Sequence, residues 1–239
     1  MTVVDCLDIC TGSIVAVAGC GGKTSLIERA ADRLRDRKVL VSTTAKIFPM
    51  KTEGVMLCEN MSQCEEHKPQ PGIQCFGLLN AASRKLEPLP DHVLAGLIPR
   101  YDVTFLEADG SRGLPCKGWL PNEPVIPPYC THTVGVLTMS ALGKAASETV
   151  VHRLPQFLSL TGQQQGEPIT VQSLEAMACA PGGMFKNSAG QRYLLVNQVE
   201  DEPAARTARS YLQIIKEKYP NRFEKLLFGS VHLDAWQEV

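Results

Sequence analysis

No apolar run in the 239 residues approaches the roughly 20 positions that a membrane-spanning helix needs, so a membrane partner is not expected. No basic cluster stands out, and the formal net charge is −1. Affinity for nucleic acid rests on positive charge, so no nucleic-acid partner is expected either. The first residues carry Asp5 and Asp8 and no basic flank. They do not read as a signal peptide, and the expected compartment is the cytoplasm. No C-x-x-C pair occurs among Cys6, Cys10, Cys20, Cys58, Cys64, Cys75, Cys116, Cys130 and Cys179. With an odd count as well, neither a disulfide framework nor a zinc ribbon is suggested.

What is present describes a globular chain. Hydrophobic content is 44% and charged content 21%. The length suffices for a sizeable core, as one large domain or one domain with a subdomain.

The most informative stretch is Gly19-Cys20-Gly21-Gly22-Lys23-Thr24-Ser25. It follows the apolar strand pattern Ser13 to Val17 and opens a helical pattern from Lys23 to Arg37. A strand, a glycine-rich turn and Lys-Thr at a helix start make the context of a phosphate-binding loop. Glycines let backbone N–H groups curl toward an anion, and the helix start adds free donors and a favourable dipole. Lys23 would reach the outer phosphates and the Thr24 hydroxyl would hold Mg²⁺. The loop is shorter than G-x-x-x-x-G-K-[ST], whose first glycine would fall at Val17; Mur-type ligases carry a comparable short form. Positive potential in such a loop would favour a Cys20 thiolate. The alternative is a small residue tolerated in a tight turn.

Lys38 to Ser42 reads as a second strand, with Thr44 after its end, where a hydroxyl could touch Mg²⁺ or a phosphate or simply stabilise a turn. Val55 to Cys58 and Ile73 to Leu79 are short strand patterns in a less regular stretch, residues 50 to 90. A short helix spans Asp91 to Pro99, with Asp91 as its cap. Val103 to Glu107 reads as a central strand. A carboxylate at the end of a buried strand is costly without a partner or a task. Glu107 is therefore assigned to Mg²⁺ or to the attacking water. Asp109 either shares that face or begins the Asp-Gly turn. Arg112, Lys117 and Arg153 are candidate contacts to anions. His132 to Thr138 is a strand; Val150 to Leu160 and Val171 to Ala180 read as helices. Tyr193 to Val196 is a late strand ending in Asn197-Gln198-Val199-Glu200-Asp201. A guanine-reading Asn-Lys-x-Asp turn would stand here, with Gln198 in place of lysine and Glu200 or Asp201 as the acid; an ordinary polar turn is the other reading. A helix from Pro203 to Lys218 and a strand from Leu226 to Val231 complete the alternation.

The pattern predicts an α/β fold: a mostly parallel sheet flanked by helices, P-loop NTPase-like, with a small helical insertion. Residues 1–139 would form the nucleotide-binding core, 140–188 the insertion and 189–239 the rest of the core. Lys23, Glu107 and Asp109 are the catalytic candidates. Gly19, Cys20, Gly21, Gly22, Lys23, Thr24, Ser25, Thr44, Arg112 and Asn197 are the nucleotide-binding candidates, and Thr24 and Glu107 the metal ligands.

Three blocks in this order, Gly-Cys-Gly-Gly-Lys-Thr-Ser at 19–25, Thr-Thr-Ala-Lys-Ile at 43–47 and Glu-Ala-Asp-Gly-Ser-Arg-Gly at 107–113, are followed by Glu123-Pro124-Val125-Ile126-Pro127, His152-Arg153 and Asn197. Together they resemble the selenium-dependent hydroxylase accessory proteins, the YqeC family. Cys20 stands where that family usually has glycine. The resemblance implies a cytoplasmic accessory factor for molybdenum hydroxylases that depend on selenium. On this reading the protein binds, and hydrolyses, ATP or GTP with Mg²⁺, and its partner is a molybdenum hydroxylase client or its cofactor. Two other classes stay open: an ATP-dependent ligase or transferase using a small-molecule, selenium or sulfur substrate, and a non-catalytic scaffold for a nucleotide or molybdopterin.

Overall fold

Apolar side chains at both parities of residues 15–18, 39–41 and 103–106 leave these strands no polar face. Such strands must be covered on both sides, which is the habit of parallel sheets. The computed structural model describes residues 1–50 and 54–239. In chain order the elements are α1 (Val3–Cys6), β1 (Ser13–Gly19), α2 (Lys23–Asp32), β2 (Lys38–Thr43), β3 (Met56–Cys58), α3 (Met61–Glu66), β4 (Gly72–Phe76), β5 (Leu78–Asn80) and β6 (Lys85–Glu87). Then follow α4 (Asp91–Leu97), β7 (Val103–Glu107), β8 (Cys116–Lys117), β9 (His132–Thr138), β10 (Val151–His152), α5 (Leu154–Thr161), α6 (Val171–Cys179), β11 (Gln191–Asn197), α7 (Glu202–Lys218), β12 (Lys225–Ser230) and β13 (Ala235–Glu238).

Among the described residues nine strands join in one sheet, in the order β3-β4-β2-β7-β1-β9-β11-β12-β13. Its pairs are parallel except β12–β13, which is antiparallel. Val15, Val17, Val41 and Phe105 face α1 and α2. Ala16, Leu40 and Leu106, of the opposite parity, pack with Leu94 and Leu97 of α4. Farther along that face, Leu194, Val196 and Phe228 pack with α5, α6 and α7. The fold is α/β, a large and mostly parallel sheet flanked by helices.

Several boundaries differ from the sequence reading, each for a local reason. Helix α2 stops at Asp32 and not at Arg37. Leu34 N–H donates to Ala31 O and Arg37 N–H to Leu34 O, so the chain tightens into a turn to reach β2. The helix expected from Val150 begins at Leu154, because Val151 and His152 pair with Cys116 and Lys117 and Arg153 takes a left-handed backbone. Asp91 is the first residue of α4; its N-cap is Pro90. The strand expected from Ile73 to Leu79 splits, since Leu78–Asn80 pairs with β6 instead of continuing the sheet. β13, absent from the sequence reading, adds the antiparallel edge.

The register sets what meets at the carboxyl ends of the strands. Val17 stands opposite Glu107, Thr43 opposite Glu107, Gly19 opposite Val136 and Asn197 opposite Thr138. In open parallel sheets that edge is where ligands bind.

Candidate functional site

The chain leaves β1 at Gly19, turns through Cys20, Gly21 and Gly22, and enters α2 at Lys23. Gly19, Gly21 and Gly22 have φ of +104°, +88° and +116°. A Cβ at Gly19 would lie 2.3 Å from Val136 O, at Gly21 2.7 Å from Thr138 Cβ, and at Gly22 2.5 Å from Asn197 Nδ2. Backbone conformation and space both demand glycine at these positions. Cys20, the one loop position with a side chain, buries it: Sγ donates to Pro115 O at 2.9 Å. Burial pushes the thiol up to about 12, against the pull of Lys23. Loss of solvation outweighs the neighbouring charge, so of the two readings of Cys20 the packing favours the small residue in a tight turn over the thiolate.

Lys23 lies buried beneath the loop. Its Nζ donates to Gly19 O at 2.8 Å and stands 3.3 Å from Asp109 and 3.8 Å from Glu107. Burial disfavours its charge, but Asp109 and Glu107 outweigh burial and raise its pKa. Glu107 accepts from Thr24 Oγ1 at 2.8 Å. Burial holds the Glu107 carboxyl above its ordinary range despite Lys23. Strand parity explains the encounter: Glu107 shares a face with Val103 and Phe105, the face covered by α2.

Asp109 is fully buried. It accepts from Gly19 N–H at 3.1 Å and from Trp119 Nε1 at 2.6 Å, and pairs with Lys117 at 3.1 Å. Burial alone would raise its pKa; Lys23 and Lys117 together drive it below the ordinary value. Asp109 is therefore no ordinary turn residue. Lys117, also fully buried, is held below the ordinary lysine value by burial, with Asp109 pulling the other way. It stands 3.5 Å from Glu123, and Glu123 in turn pairs with Arg153. The result is an alternating row, Glu107, Lys23, Asp109, Lys117, Glu123, Arg153. The sequence presents Lys117 as a contact to an anion, and it does not mark Trp119 or Glu123, the latter named only in a family block, as partners in an ionic row. The available signal was the demand of any buried carboxylate for a partner.

The other candidates are placed as follows. Asn197 is buried; its Nδ2 donates to Gly21 O at 2.8 Å and its Oδ1 accepts from Val231 N–H at 2.9 Å. It ties the loop to the end of β12. Asp201 caps α7 by accepting from Ala204 N–H at 2.8 Å, so of the two acids only Glu200 lines the cleft beside the loop. That cleft, about 470 Å³, is walled by Gly22, Ser25, Asn197, Gln198, Glu200 and Ser230 among others. Glu200 accepts from Ser230 Oγ at 2.7 Å. Thr44 and Arg112 are not there: they line a second cleft beyond Asp109, where Thr44 Oγ1 donates to Val125 O.

A family model described as YqeC protein matches residues 15–155. The chain belongs to the YqeC family. The Escherichia coli (strain K12) protein titled Uncharacterized protein YqeC is 33% identical over 181 residues, 73% of this chain and 71% of that protein. The YqeC match contains the loop and the whole ionic row from Lys23 to Arg153; Asn197 lies outside it.

The cysteines give a direct check on this packing. Among the described residues Cys10 is exposed and the other eight cysteines are buried. One thiol is expected to react quickly with Ellman's reagent in the native protein and nine after denaturation. A second fast thiol, Cys20 above all, would contradict the burial of the loop.

Proposed function

We propose that this YqeC-family protein is a Mg²⁺-dependent nucleotide-binding accessory factor with a P-loop NTPase-like site. The observation that carries the reading is the loop itself. Three sterically required glycines precede a buried lysine and a threonine hydroxyl that already meets the carboxylate of the adjacent strand. Thr24 and Glu107 are the residues that would hold Mg²⁺, whose role is to neutralise phosphate charge. Both offer oxygen, as this hard cation prefers. Among the described residues no group of three or more His, Cys, Asp or Glu side chains could hold a metal alone. That suits Mg²⁺, which takes one or two carboxylates and completes its shell with phosphate and water.

Lys23 exchanges carboxylate oxygens for phosphate oxygens when a nucleotide enters. Asp109 keeps Lys117 and the Gly19 N–H, so it stays compensated as Lys23 turns away. Glu107 orients the attacking water or the metal, and hydrolysis would gate the factor's contact with its client. The nucleoside of ATP or GTP would lie in the cleft beside Gly22 and Ser25. The client, a selenium-dependent molybdenum hydroxylase or its cofactor, comes into the proposal from the accessory role that the family resemblance implies.

The test is equilibrium binding of ATP and of GTP, with and without Mg²⁺, to the wild type, Lys23→Ala and Thr24→Ala. One nucleotide should bind in the presence of Mg²⁺. Lys23→Ala should weaken it by roughly 10- to 100-fold, the worth of a hydrogen bond to a charged group. Thr24→Ala, at a half-exposed position that leaves the ionic row intact, should lose the Mg²⁺ dependence. Binding of neither nucleotide, or binding indifferent to both substitutions, would overturn the reading.

A further inference from the structure

The larger cleft, about 900 Å³, opens on the other side of Asp109 and shares no lining residue with the cleft beside Gly22. Its size is that of a small-molecule site. Its charge is uneven. Lys46, Lys85, Arg112 and Arg153 line it against two carboxylates, Glu123 and Glu148. Lys46 is paired with Glu87 at 2.7 Å, and Lys85 lies over the Phe48 ring at 4.7 Å. Arg112 is exposed, at φ +54°, and makes no ion pair or hydrogen bond among the described residues. The turn that holds it is closed by Leu114 N–H donating to Ser111 O at 3.0 Å. The turn needs positive φ at both central residues, Arg112 and Gly113, and it holds the unspent guanidinium at the wall of the cleft.

Arg153 can also be released cheaply. Its partner Glu123 has a second cation, Lys117, at 3.5 Å. Removing Arg153 from Glu123 therefore leaves no buried carboxylate alone. The start of α5, at Leu154 and Pro155, forms part of the same wall and adds a favourable dipole for negative charge.

We propose that this cleft is a second binding site, for a small molecule bearing at least two anionic groups, carboxylate or phosphate, held by Arg112 and Arg153. Two planar forks suit oxyanions that each accept a pair of parallel hydrogen bonds. A ligand with two anionic groups gives each guanidinium an oxyanion; one with a single group leaves a guanidinium without one. The ionic row from Arg153 through Asp109 to Lys23 joins this site to the phosphate loop, so a ligand here sits next to the proposed chemistry.

The test uses the full chain and no nucleotide, which keeps its failure separate from failure of the nucleotide reading. Citrate and 2,3-bisphosphoglycerate are titrated by calorimetry and by ¹H–¹⁵N spectra, the first probing for carboxylates and the second for phosphates. One of them should bind with saturation, shifting the amides of residues 108–114 and 151–154. Arg112→Asn should weaken that binding by about tenfold or more. Asparagine tolerates the left-handed backbone, so the fold is expected to survive. Shifts confined to residues 19–25 would place the anion in the phosphate loop and overturn the proposal. So would binding unchanged in Arg112→Asn, or no saturation by either probe at about 10 mM.

Discussion

Asp109→Ala is expected to lower folding stability by about 3–5 kcal/mol, the range for breaking a buried ion pair from one side. The carboxylate is fully buried, so solvent screens none of its interactions. Its loss leaves Lys23 and Lys117, both buried cations, without the acid that stands 3.3 and 3.1 Å from them. It also strands the Trp119 Nε1 and Gly19 N–H donors. The measurement is a urea titration in which the midpoint falls while the slope holds. A loss below about 1 kcal/mol would mean that Asp109 is a surface-like partner and not the centre of the row. The pH dependence has a definite sign. Asp109 has a folded pKa below its ordinary value, so its contribution is present above the ordinary value. It is lost as pH falls through the lower folded value, and Asp109→Asn should lack that part of the acid limb. Glu107 acts in the opposite sense. Its raised pKa means that ionising it disfavours the folded state as pH climbs from the ordinary value to the folded one.

Gly19→Ala is expected to cost about 2–5 kcal/mol, combining a positive φ with overpacking against fixed backbone. The new methyl would fall 2.3 Å from Val136 O, the carbonyl that accepts from Cys20 N–H at 2.9 Å. Neither atom can move without opening the β1–β9 ladder. Gly12→Ala is the control. Gly12 has φ of +91° but, among the described residues, nothing within 4 Å of an added Cβ. It should show the conformational cost alone, about 1–2 kcal/mol. Thermal or urea unfolding of the two variants separates the contributions, and equal losses would show that the approach to Val136 is relaxed at no cost. Nucleotide binding, where it is measured, should fail in Gly19→Ala and survive in Gly12→Ala.

The parts of the fold legible in the sequence are those with strong local signals. Val103–Glu107 and His132–Thr138 are observed with the bounds that their apolar runs suggest. The loop and the start of α2 at Lys23 follow from the glycines and the helical period after them. What was hidden depends on distant partners. Val151 and His152 read as the start of a helix until Cys116 and Lys117 pair with them. Arg112 and Arg153 show no sign in the sequence of their left-handed backbone. At the site, the demand of a buried carboxylate for company was readable at Glu107. Its partners were not, because Thr24 and Lys23 are more than 80 residues away and meet it only through the parallel register of β1 and β7. Asp109 looked divisible between turn and site, since Asp-Gly is a common turn; only Lys117 and Trp119 folding back over it decide the matter.

The place of β1 in the sheet has a consequence for how the protein is made. β1 carries the loop and lies between β7 and β9, and β2 borders β7 and not β1. On the ribosome β1 and β2 emerge as two apolar strands with no mutual pairing to adopt. The roughly 60 residues from β2 to β7 take about 3–12 s at about 5–20 residues per second. For that interval β1 has neither neighbour, whereas β2 gains β4 part-way through, so a holding chaperone has its clear target in β1. Even after β9 completes the flank of β1, the loop waits for Asn197 and then for Val231, which fixes the Asn197 carbonyl. The loop is translated well before Asn197 and Val231 yet takes its working shape only after them, and a chain stalled before Asn197 would carry the Gly-Lys-Thr motif without a site.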